Sequence, residues 1–126
     1  MKLWVFIVFS LLTACSAIQL ETMQANRVIV SQDAPPKSCK FRGQILGNQG
    51  NCFTGSWTSN KNLELGAMND LRNKAGRLGA NYVQLLTTRQ GNTGSMMDGH
   101  GHFEQTNITN LGNAYACDAD EIGLTP

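Results

Sequence analysis

The sequence predicts an α+β fold, with one amphipathic helix packed on a small, mainly antiparallel sheet. Two observations carry this. Runs of alternating or continuous apolar character lie on both sides of a single stretch with helical period, and Gly-, Asn- and Pro-rich segments separate them. The order strands–helix–strands then describes an α+β layer pair. At 126 residues the chain suits one domain of ordinary size.

The N-terminus comes first. Lys2 supplies a basic start, and the ten residues from Leu3 to Leu12 are apolar apart from Ser10. As a helix they would span about 15 Å, roughly half a bilayer core, too short to cross it. Leu12-Thr13-Ala14-Cys15 resembles a bacterial lipobox. That resemblance implies a signal peptide (1–14) removed before Cys15, a diacylglycerol thioether on the thiol, and a further acyl chain, palmitate, on the new amino group. Two or more acyl chains anchor a protein stably without any spanning segment. Ser16 follows the cysteine where Asp would mark inner-membrane retention, so the expected location is the outer membrane, facing the periplasm.

Removing 14 of the 126 residues leaves 112 and takes away only one charge, Lys2, so 9 basic residues balance 9 acidic ones. A neutral chain offers no electrostatic reason to bind nucleic acid or another polyanion.

Along the mature chain, residues 15–36 read as a lipidated terminus and tether, because Ser16 to Gln24 shows no sustained period. Arg27-Val28-Ile29-Val30 is a short β-prone run closed by Asp33-Ala34-Pro35-Pro36. The globular domain is expected over 37–118. Cys39 to Leu46 alternates, with Cys39, Phe41 and Ile45 on one face and Lys40, Arg42 and Gln44 on the other. A Gly/Asn-rich loop follows over 47–55.

Asn62 to Leu78 is the helix. Leu63, Ala67, Leu71, Ala75 and Leu78 fall in a stripe about 120° wide at about 100° per residue. Asn60 or Ser59 suits its N-cap and Gly79 its left-handed end. Asp70 and Lys74 are spaced to pair, and Gly66 and Gly76 suit close packing. Leu65 lies off the stripe and has no role in this reading. Asn81 to Thr88 is a largely apolar, central strand. Arg89 to His102 reads as a Gly-rich excursion, and Gln105 to Cys117 as the last strand, with a bulge at Gly112. Residues 119–126 form a loose acidic tail.

With Cys15 lipidated, three thiols remain, Cys39, Cys52 and Cys117, in a compartment that favours disulfides. Three pairings are open. Strand parity favours Cys39–Cys117 and leaves Cys52, in a Gly-rich loop, as a candidate free thiol.

Several segments together carry a resemblance: Cys39-Lys-Phe-Arg-Gly-Gln, Phe53-Thr-Gly, Thr58-Ser-Asn, Asn69-Asp-Leu-Arg-Asn-Lys-Ala75, Leu78-Gly-Ala-Asn-Tyr-Val83 and Gly112-Asn-Ala-Tyr-Ala-Cys117. They resemble a family of small Gram-negative lipoproteins built on a YjeI-like domain of unknown function, over about residues 37–117. The resemblance implies a bridge between the cysteines that open the first strand and close the last, here Cys39 and Cys117; Cys52 departs from the pattern. More distantly the family resembles RcsF, a disulfide-stapled lipoprotein that senses envelope stress through protein partners in both membranes. The chain lacks part of the cysteine set of RcsF and its long proline-rich tether. What the likeness implies is an RcsF-like fold and an outer-membrane or other envelope protein as partner.

The residues that could carry chemistry are few. Met96, Met97, His100 and His102 form a cluster of thioethers and imidazoles suited to Cu or Ni. A Cys52–His dyad has no third group specified by the sequence, and the chain has no GxGxxG, Walker-type, HExxH or CxxC motif. Phe53 and Trp57, beside a Gly-rich loop, are candidate partner contacts. The expectation is a non-enzymatic envelope module that binds, supports or senses, without a cofactor beyond the lipid on Cys15. The alternative is a periplasmic metal-binding lipoprotein using Met96, Met97, His100 and His102.

Overall fold

A computed structural model describes residues 17–50, 60–97 and 100–124, with the backbone alone at 60, 92–97 and 100–106. Its elements are α1 (Met23–Asn26), β1 (Ile29–Ser31), β2 (Lys40–Gly50), α2 (Asn60–Arg77), β3 (Tyr82–Met97) and β4 (His100–Ala116), then a 3-10 turn (Ala119–Ile122). The fold is α+β. The four strands form one mixed sheet in the order β1-β3-β4-β2. β4 pairs antiparallel with both β2 and β3, whereas β1 runs parallel to β3. The connection from β1 to β3 contains β2 and α2, long enough for the crossover that a parallel pair needs.

α2 lies on the sheet because its apolar stripe has only that surface to enter. Leu63, Ala67, Leu71 and Ala75 are all fully buried. Leu71 and Ala75 pack with Val28, Ile45, Ala80, Val83 and Ala114, while Leu63 and Ala67 close on Ile108. Leu78 departs from the expected stripe. The helix stops at Arg77, so Leu78 lies past its end and is exposed. Gly79 takes φ 73°. The Ala80 N–H donates to the Ala75 carbonyl at 3.0 Å and that of Gly79 to Gly76 at 3.1 Å. These two bonds form a Schellman motif, which satisfies carbonyls that a helix end leaves open.

Three strand expectations are corrected. The register of β2 steps from Phe41 opposite Tyr115 to Gly43 opposite Ala114, leaving Arg42 as an extra residue. Such a bulge reverses the facing of the residues before it. Phe41 therefore does not share the face of the buried Ile45. It is 60% exposed and meets Tyr115 edge-to-face, with ring centroids 5.7 Å apart. The stretch 89–102 is not a loop excursion. β3 and β4 continue through it, with Arg89 opposite Thr109 and Met97 opposite His100. Gly112 is not itself the bulge. It pairs with Leu85 while Leu111 pairs with Thr87, so the extra residue is Leu86 on the neighbouring strand.

Cys39 and Cys117 form a disulfide across 78 positions of sequence, beside the Lys40–Ala116 pair that starts β2 and ends β4. Asn81 fixes this end. Its amide donates to the Cys117 carbonyl at 2.7 Å and accepts from the Cys117 N–H at 2.8 Å. The tail is held too, because the Ser38 hydroxyl donates to the Glu121 carboxylate.

Candidate functional site

The least expected feature of the fold is the course of residues 17–31. The tether read over 15–36 is corrected for this stretch, which is built into the domain. Asn69 and Asn73 flank Leu71 by two residues and so lie about 160° from it around α2, opposite the sheet. Both are nonetheless buried, at 7% and 2% exposure. The segment 17–21 covers them.

All but the last of its contacts join a backbone group to a side chain. The Asn69 amide donates to the Ile18 carbonyl and the Asn73 amide to that of Gln19, both at 2.9 Å. The Glu21 N–H donates back to Asn73 Oδ1 at 2.9 Å, and the Ile18 N–H to Gln49 Oε1 at 2.9 Å. Arg77 closes the row with two bonds to the Glu21 carboxylate, of 2.8 and 3.2 Å. The hydrogen bonds to Glu21, and then its charge, hold the exposed Arg77 guanidinium above its ordinary pKa.

Residues 69, 73 and 77 recur every four positions and so form one ridge. An extended strap has peptide groups with no strand beside them, and the amide side chains act as that missing neighbour. Each such bond contributes about 1 kcal/mol net. Two glycines admit the arrangement. A Cβ at Gly66 would sit 1.9 Å from Gln49 Oε1, displacing the side chain that holds Ile18. One at Gly76 would lie 3.3 Å from the Ala25 backbone, where α1 rests on α2. Thr22 caps α1 by accepting from the Ala25 N–H at 3.0 Å.

On another side of α2, Asp70 and Lys74 pair at 2.9 Å, as their spacing predicts. They also reach β2, an edge strand. Asp70 accepts from the Asn48 N–H at 2.9 Å and Lys74 donates to the Leu46 carbonyl at 2.6 Å. These bonds occupy edge groups that would otherwise template pairing with another chain. Beside them a groove of about 510 Å³ is lined by Arg42, Gln44, Leu46, Lys74, Arg77 and Leu78, among others.

The residues singled out in the sequence are not gathered here. Cys39 and Cys117 form the bridge beside Asn81, just past the C-terminal end of α2. Cys15, Cys52, Phe53 and Trp57 lie outside the described residues. Met96, Met97, His100 and His102 fall on β3 and β4, where His100 pairs with Met97 and His102 with Ser95; their side chains lie outside the described residues. Among the described residues no group of three or more His, Cys, Asp or Glu could hold a metal ion. Among them, too, no helix is long and apolar enough to cross a membrane. The sequence reading missed Gln49, Asn69 and Asn73. Their signal was present: two asparagines, poor helix formers, recur four apart on the polar side of a helix that has no need of them there.

A domain of unknown function, DUF4156, matches residues 19–117, starting inside the strap and ending at the second bridged cysteine. The chain belongs to the DUF4156 family. It is also similar to the uncharacterized protein YjeI of Escherichia coli K12, at 27% identity over 108 residues, 85% of this chain and 86% of that protein. The YjeI proteins of Escherichia coli strain CFT073 and Shigella flexneri match to the same extent. No solved structure matches. The DUF4156 match takes in Glu21 of the strap and its partners Gln49, Asn69, Asn73 and Arg77, and begins after Ala17 and Ile18.

Proposed function

We propose that this DUF4156 protein is a lipid-anchored module of the outer membrane, exposed to the periplasm, that binds or supports an envelope protein and is not an enzyme. The observation that carries the reading is Leu12-Thr13-Ala14-Cys15 directly after a short apolar run. Envelope sensing, suggested by the likeness to RcsF, is the narrower form of the same reading. The candidate contact surfaces are the segment with Phe53 and Trp57 and the β3–β4 hairpin.

The anchor is tested by intact mass and membrane fractionation. The wild type should carry acyl chains on an N-terminal Cys15 and float with outer-membrane vesicles, and Cys15→Ala should be unacylated and released. An acylated, membrane-bound Cys15→Ala would refute the reading. Photo-crosslinking in cells from Phe53, Trp57 and His102 then tests for a partner. One outer-membrane or inner-membrane protein recovered from two of these positions supports the binding role.

The second reading is metal binding by Met96, Met97, His100 and His102, favoured by the strand register that sets Met97 opposite His100. Micromolar Cu(II) or Ni(II) should then shift the His100 and His102 imidazole signals. Unmoved signals dispose of it.

A further inference from the structure

We propose that the strap holds this domain against the surface of the bilayer that carries its anchor, with the patch around Gln49, Leu65 and Gly66 facing the lipid headgroups. The proposal rests on lipidation of Cys15. Ala17 is buried, and Ile18 is bound through both its N–H and its carbonyl. Cys15 is two residues before Ala17, so even fully extended the lipid attachment lies within about 7 Å of the domain. A free tether over 15–36 would instead let the domain wander by about 25 Å. The lipid therefore enters the membrane beside the strap's first contacts, and the domain cannot rise away from it while the strap is in place.

The surface at that point fits a headgroup layer. Leu65 is one turn before Asn69 on the same ridge, 46% exposed and without a place in either core cluster. Lys61, a further turn away, is exposed. An apolar side chain beside a cation suits the boundary between acyl chains and anionic phosphates. This gives Leu65, which no packing argument explains, a physical use. The opposite end of α2 at Gly79 lies about 20 Å away along the helix axis.

The test uses the mature, acylated chain in phosphatidylethanolamine/phosphatidylglycerol nanodiscs containing a headgroup nitroxide lipid, read by amide NMR. Amide signals of Gln49, Leu65 and Gly66 should be lost, while those of Lys40 and Gly79 persist. Inserting twelve Gly/Ser residues between Ser16 and Ala17 leaves every strap contact intact and should restore the lost signals. If Cys15 is acylated but the nitroxide fails to distinguish Leu65 from Gly79, or the insertion changes nothing, apposition is wrong and the lipoprotein reading survives. A chain purified from cell membranes without acyl groups on Cys15 overturns both.

Discussion

Asn73→Ala gives the sharpest test of how the N-terminal strap is held. Asn73 is almost fully buried, and it both donates to the Gln19 carbonyl and accepts from the Glu21 N–H, at 2.9 Å each. Alanine removes both bonds and leaves two backbone groups without partners. At about 0.5–1.5 kcal/mol net per bond, the loss is about 1–3 kcal/mol. That cost falls on the strap before it falls on the core, because the strap meets α2 and the Gln49 side chain of β2 and has no residue in either core cluster. A cost of that size multiplies the population of the detached state by roughly 5- to 160-fold. Amide hydrogen exchange reads it directly: the Glu21 amide should exchange faster by that factor, while the Val83 amide in the core keeps its wild-type rate. An unchanged rate at Glu21 would refute the assignment of these bonds as the strap's main hold. Equal acceleration at Val83 would refute the view that the strap opens on its own.

Other perturbations follow from the packing and the bridge. A Cβ at Gly47 would lie 2.5 Å from the Ala67 carbonyl and 2.6 Å from the Leu71 N, both backbone atoms of α2, whereas nothing lies within 4 Å at Gly50. Gly47→Ala should therefore cost about 2–3 kcal/mol by forcing helix and sheet apart, while Gly50→Ala, on the same strand, should be neutral or slightly stabilising. Urea midpoints that move equally for the two variants would contradict this contact. Cys39→Ser with Cys117→Ser opens a loop of 78 positions. On the chain-entropy account the loss is about 4–5 kcal/mol, seen as a lowered melting temperature, and a loss below about 1 kcal/mol would show that the bridge adds little beyond what Asn81 and the strand pairing already hold.

The helix shows most clearly how far local pattern reaches. A period near 3.6 residues in Leu63, Ala67, Leu71 and Ala75 marks both the element and its buried face, and Gly79 marks its end, because each depends on residues within a turn or two. The Asp70–Lys74 pair and the close approach at Gly66 and Gly76 were legible for the same reason. Parity along the strands was not. A single extra residue, Arg42 in β2 or Leu86 in β3, reverses facing, and a bulge is defined by the partner strand, which local sequence does not name. The long hairpin had a local signal that the Gly-rich composition concealed: Asp98-Gly99 is a pair strongly associated with hairpins, and Met97 and His100 on either side of it are paired.

By itself the sequence determined what covalent and near-neighbour chemistry specify: the lipobox-like N-terminus, the α+β class, the amphipathic helix, and strand ends that favour joining Cys39 to Cys117. Tertiary structure alone decided that residues 17–21 are a strap and not a tether. Their apolar content has no period, so nothing local distinguishes them from linker. They are ordered because Gln49, Asn69 and Asn73, between 31 and 54 positions away, supply the hydrogen-bond partners that the segment's own neighbours cannot.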